Sequence, residues 1–164
     1  MPNVSGSGQE SNEEYNMGDR LTEFPNRRVW DLSGYTVYYI RLSYQVLLFI
    51  ARSFGPIDSK TLQPYNNSVT VDIETVFTVR VGSRTDHVIP EQVLSTIPVL
   101  PLLHQPVASL TAFRSGTLLL TFADDTELEV LKDDQYESWH TFGEGELADI
   151  GMECTGHEGS PWGG

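Results

Sequence analysis

Hydrophobic and polar residues alternate along most of this chain. Between Tyr35 and Leu42, Val37, Tyr39 and Arg41 alternate with Tyr38, Ile40 and Leu42, the period of two expected of a strand. Tyr44 to Ala51 is apolar on both faces, which predicts a central strand covered on two sides, with a short buried helix as the competing reading. Val69, Val71 and Ile73 alternate with Thr70, Asp72 and Glu74, and Phe77, Val79 and Val81 continue the strand past a bulge at Thr75. Val107 to Phe113, Gly116 to Phe122 and Glu127 to Leu131 predict a three-strand meander with turns at Arg114–Gly116 and Asp124–Thr126. In it Leu118, Leu120 and Phe122 share a face opposite Leu128 and Val130. A last pair is expected at Ser138–Phe142 and Ala148–Met152, joined by residues 143–146.

One segment breaks the period of two. Pro90 with Glu91 and Gln92 suits a helix start, and Val93, Leu94, Ile97, Leu100 and Leu103 suit a helical face that would cover the sheet. Pro98 and Pro101 interrupt it, so the helix should be short and broken. Turn signals also fall at Gly55-Pro56, Gln63-Pro64 and Asn66-Asn67. The expected class is α+β: mostly antiparallel β-sheet in two meander-like halves, with one short broken helix. Residues 1–27, rich in Ser, Gly, Asn and Glu, predict a disordered acidic tail before a single β-rich domain over 28–164. Gly156–Gly164 should be irregular, with Trp162 its anchor.

Charge changes the picture once it is divided by position. Of the net −13, residues 1–24 hold −4, residues 25–122 hold +2, and residues 123–158 hold −11 from twelve acids and one base. Such a field repels nucleic acid and anionic membranes and favours a basic protein partner; its bland counterpart is a solvated surface that maintains solubility. The most apolar run, Leu42–Ala51, is about half a bilayer span and is bracketed by Arg41 and Arg52, so no membrane segment is expected. A single cysteine, Cys154, and a start without a basic, apolar leader are the pattern of a cytoplasmic protein.

Motifs for chemistry are sparse. There is no Gly-x-Ser-x-Gly elbow, phosphate loop or His-Glu-x-x-His, and no cofactor is implied. Cys154 and His157 make one weak metal-type pair. A thiol nucleophile at Cys154, with His140 or His157 as base, would sit in an acidic setting that raises its pKa. Asp124 and Asp125 suit turn chemistry, and Asp133 and Asp134 suit the exit from a strand; neither pair belongs to a calcium loop. Tyr136, Glu137 and Trp139 place large rings beside acids, as at protein interfaces, although Trp139 would serve equally to lock the last strand into the core. The candidate partner surface is therefore Asp124, Asp125, Asp133, Asp134, Tyr136, Glu137 and Trp139.

The run Gly116–Val130 (GTLLLTFADDTELEV), then Tyr136–Trp139 (YESW), Cys154 and a Gly-rich end with Trp162 resembles an uncharacterised family of small β-rich actinobacterial proteins. That family's pattern looks like G-x-L-x-L-x-F-x-D-G-x-x-L-x-V, Y-E-x-W and a closing G-G-x-x-x-x-W. Asp125 stands where the family often has glycine. The resemblance reaches back to Trp30 through Leu32, Gly34, Tyr44, Val46, Val71 and Ile73. It implies no activity; it implies an immunity-like, binding role of the kind found among bacterial toxin-immunity genes. The leading expectation is thus a non-enzymatic protein-binding domain that neutralises a basic toxin or effector. An acidic nucleic-acid mimic and a small enzyme of unrecognised type are the alternatives.

Overall fold

The computed structural model describes residues 20–52, 67–154 and Pro161. Twelve strands run in chain order: β1 Leu21–Phe24, β2 Arg27–Asp31, β3 Thr36–Leu42, β4 Val46–Ala51, β5 Ser68–Ile73, β6 Phe77–Val81, β7 Arg84–Val88, β8 Val107–Phe113, β9 Leu118–Phe122, β10 Glu127–Val130, β11 Trp139–Glu144 and β12 Met152–Cys154. They form a seven-stranded sheet in the order β1-β2-β8-β9-β10-β6-β7 and a five-stranded sheet in the order β12-β11-β5-β4-β3. Every pairing is antiparallel. Each sheet contains one of the two expected meanders, β3-β4-β5 in one and β8-β9-β10 in the other.

The alternation read along the chain becomes the core. Val46, Leu48, Ile50, Val69, Val71 and Ile73 of the smaller sheet join Leu110, Leu118, Leu120, Phe122, Leu128 and Val130 of the larger in one buried cluster. Leu128 lies opposite Leu120 and Val130 opposite Leu118, the register expected from their spacing. At the β9–β10 turn Asp125 takes a φ of 68°, left-handed backbone that explains why glycine suits this position.

Three expectations need correction. The N-terminal 27 residues are not all tail: β1 and β2 form a hairpin, and β2 pairs with β8 from Arg27↔Phe113 to Asp31↔Ser109. The strand over 69–81 is not one bulged strand either. Glu74–Val76 is a corner at which the chain leaves the five-stranded sheet and enters the seven-stranded one. The last hairpin has β11 running on through Gly143 to Glu144, a 3₁₀ turn at Gly145–Leu147, and a return strand at Met152–Cys154. The signals at Gly55, Pro56, Gln63, Pro64 and Asn66, and the end with His157 and Trp162, lie outside the described residues.

The helix also differs in kind. It is a 3₁₀ helix over Val93–Leu102, and Pro90–Glu91 forms a turn ahead of it. Three residues per turn put Ser95, Pro98 and Pro101 on one row, so both missing proline donors fall on that row. The buried row is Thr96, Val99 and Leu102, whereas Leu94, Ile97, Leu100 and Leu103 form an exposed apolar ridge. The side expected to cover the sheet faces water: the i, i+3 spacing of these residues makes an apolar row in either kind of helix and does not say which row is buried. Ser95 anchors the helix by accepting from Ile89 N at 2.9 Å and donating to Ile89 O at 2.8 Å.

Candidate binding surface

The Glu74–Val76 corner packs beside the β10–β11 connection, residues 131–138. Glu74 N donates to Ser138 O at 3.0 Å, and Thr75 Oγ1 donates to Asp133 Oδ2 at 3.5 Å. Asp133 shapes the connection, its Oδ1 accepting from Gln135 N at 2.8 Å and Tyr136 N at 3.2 Å. Asp133 N in turn donates to the buried Ser138 Oγ at 2.7 Å. These bonds hold Tyr136 outward, 68% exposed.

Strand period separates the next two residues. Trp139 points into the core, fully buried, with Nε1 donating to Gly116 O at 2.8 Å, so it is a core residue and not part of the exposed surface for which it was a candidate. His140 lies on the opposite face, across from Asp72 of β5 and Glu153 of β12. Its Nε2 is 3.4 Å from Asp72 Oδ2. Glu74, Glu137 and His140 converge so that one donor atom from each lies within 4.8 Å of the others. Burial raises the Glu74 carboxyl above its ordinary range, and the charge of Glu137 raises it further. Burial raises Asp72 likewise, opposed by the positive character of His140 and Arg41.

Three depressions run along this edge of the molecule and share walls. The first, about 320 Å³ and mainly apolar, is lined by Leu42, Tyr44, Pro90, Glu91, Val93 and Thr96. Pro90 and Glu91 also wall the second, about 270 Å³, together with Glu74, Ile89, Tyr136 and Glu137. Glu137 in turn walls the third, about 480 Å³, with His140, Phe142, Met152, Glu153 and Pro161. Tyr44 is 84% exposed and Val93 73%, so the first depression opens beside large uncovered apolar side chains. Among the described residues no Lys or Arg side chain lines any of the three, and His140 of the third is the one imidazole.

The structure thus divides the candidate residues. Tyr136 and Glu137 line the groove, and Asp133 positions them, with Asp134 exposed in the same connection. Asp124 and Asp125 lie at the other end of β10, in the β9–β10 turn, where Asp124 Oδ1 accepts from Thr126 N at 3.0 Å. Several other acids of the −11 stretch serve the fold. Glu127 pairs with Arg80, and Asp149 Oδ2 accepts from Trp30 Nε1 at 3.2 Å. Glu146, nearly buried, accepts from Tyr35 OH and lies 3.4 Å from Arg20 and 3.8 Å from Arg52. Burial, then this bond to Glu146, raises the Tyr35 phenol.

Glu74, Glu91, Tyr44 and Leu42 were not legible as site residues, because each looked like the end of an element and two of the acids fall in the positively charged middle of the chain. Leu42 and Tyr44, two large side chains flanking Ser43 at a turn, were the available signal. Cys154 is buried in the core face next to Gly116 and Lys132, and burial raises its thiol pKa. It pairs with Trp139, not His140, so the imidazole and the thiol project from neighbouring strands on opposite faces. No helix among the described residues is long and apolar enough to cross a membrane.

The sequence profile of DUF6188, a family of unknown function, matches residues 29–152. The chain belongs to the DUF6188 family. The match runs from β2 to the start of β12, so this DUF6188 chain carries the first two depressions, the β9–β10 turn and the Glu74–Glu137–His140 cluster within the family region, and Glu153 and Pro161 of the third lie beyond it. Comparison with curated proteins and with solved structures returns no match to it.

Proposed function

We propose that this DUF6188 protein is a binding domain whose edge groove takes a basic, partly apolar polypeptide segment. The carrying observation is the order of the walls: an apolar depression at Leu42, Tyr44 and Val93 leads into one lined by Glu74, Glu91 and Glu137, with no base among the described residues that line it. An apolar side chain of the partner is buried at the first, and Lys or Arg side chains meet the acids of the second. Apolar burial supplies affinity, and the carboxylates supply rate and selectivity. The finer reading is an immunity-type protein of bacterial, actinobacterial character that neutralises a basic toxin or effector in the cytoplasm. It is supported by the resemblance noted above and by the net charge of −13.

The test is an NMR titration of the labelled protein with an octapeptide alternating Lys and Leu, and with its Glu/Leu counterpart. Expected are shifts confined to Tyr44, Glu91, Tyr136 and Glu137 with the Lys peptide alone, weakening as salt rises. The triple change Glu74→Gln, Glu91→Gln, Glu137→Gln should reduce that affinity about tenfold or more. Shifts centred on the β9–β10 turn, or equal response to both peptides, would overturn the reading.

A further inference from the structure

Buried hydrogen-bonding atoms are nearly always paired, so an unpaired one asks for a missing partner. Two such atoms belong to residues that face each other across β11 and β5: His140 Nδ1 and Asp72 Oδ1 are both buried and have no hydrogen-bond partner among the described residues. The Asp72 side chain is only 8% exposed, and its other oxygen, 3.4 Å from His140 Nε2, orients the ring. The same imidazole belongs to the Glu74–Glu137–His140 cluster.

We infer that Glu74, Glu137 and His140 form a binding site for a divalent transition-metal ion of the zinc class, with Asp72 as the carboxylate that positions the histidine. One nitrogen and two carboxylate oxygens are a donor set suited to such an ion, and the imidazole argues against magnesium or calcium. Zinc ligands stand about 2.0–2.2 Å from the metal, so the donors must close somewhat from their present spacing of up to 4.8 Å. That closure would have to come from the Glu74 and Glu137 side chains, and Glu74 Oε1 would exchange its present donor, Gln45 Nε2 at 2.5 Å, for the ion. A carboxylate behind a ligating histidine fixes the ring and strengthens the nitrogen as a donor, the arrangement Asp72 and His140 already have. A bound ion would join the sheet-crossing corner, the β10–β11 connection and β11 at one point.

The experiment is calorimetric titration of the full chain with ZnCl₂, with MgCl₂ as the comparison and no peptide present, so its outcome is independent of the polypeptide-binding proposal. Expected is one saturable equivalent of zinc and none of magnesium. Glu74→Gln, Glu137→Gln and Asp72→Asn should each weaken zinc about tenfold or more, and Glu129→Gln in the other sheet should leave it unchanged. Nitrogen-15 spectra of the imidazoles provide a reading on the unaltered protein: the His140 ring signals should move with zinc. Absence of saturable uptake, affinity indifferent to these substitutions, or unmoved His140 signals would overturn the assignment.

Discussion

Replacing Gly143 by alanine tests the packing of the last hairpin. A Cβ at this position lies 1.7 Å from the carbonyl oxygen of Leu147, 2.7 Å from its carbon and 3.3 Å from Ile150 Cβ. Relief requires about 1.3 Å of movement before the oxygen contact becomes tolerable, and the obstacle is backbone. Leu147 cannot yield alone, because its side chain and that of Ile150 are fully buried and its carbonyl accepts from Ile150 N at 3.0 Å. Overpacking of a core costs about 1–3 kcal/mol and a lost hydrogen bond about 1 kcal/mol. The expected loss for Gly143→Ala is therefore roughly 2–4 kcal/mol, a large share of the roughly 5–15 kcal/mol that stabilises a domain. Gly151→Ala is the control: nothing stands within 4 Å of its Cβ, and the change should be nearly neutral. Urea unfolding followed by the fluorescence of the buried Trp30 and Trp139 measures both. A Gly143→Ala protein within about 1 kcal/mol of the unaltered chain would refute the reasoning.

Two further outcomes follow from the site. Trp139→Phe removes the donor to Gly116 O and part of a filled core volume, so urea unfolding should show a loss of about 2–3 kcal/mol while the folded protein keeps its affinity for the Lys/Leu peptide; unchanged stability with lost binding would contradict the core assignment. Glu74 has a folded-state pKa raised above 4.5, so its contribution to stability is greatest below the unfolded value and is lost as pH rises through the folded one. In metal-free buffer the stability of Glu74→Gln relative to the unaltered protein should accordingly increase with pH above 4.5, and a difference that stays flat with pH would exclude the effect.

How much of this was legible depended on whether a residue's neighbours were local. Leu118, Leu120 and Phe122 announced their face because a period of two and a tight turn fix the register. Leu94, Ile97 and Leu100 misled because their spacing of three makes an apolar row at either period, and only tertiary packing decides that the neighbouring row of Thr96, Val99 and Leu102 is the buried one. Leu21–Phe24 carried too little apolar content to signal a strand; β1 exists because the β2 hairpin offers it a ladder. Glu137 was legible beside Tyr136, but its companions were not. Glu74 reaches it only through the corner between sheets, and His140 faces the same way only because Trp139 turns inward.

Strand order also governs how the chain is made. The hairpin β1–β2 leaves the ribosome early, yet Arg27 waits for Phe113, and β6 waits for β10 through Arg80 and Glu127. Synthesis at about 5–20 residues per second leaves those unsatisfied ribbon margins open for several seconds. Such distant pairing places the protein among slow folders, in the millisecond-to-second range, and makes the nascent N-terminal half its most aggregation-prone form.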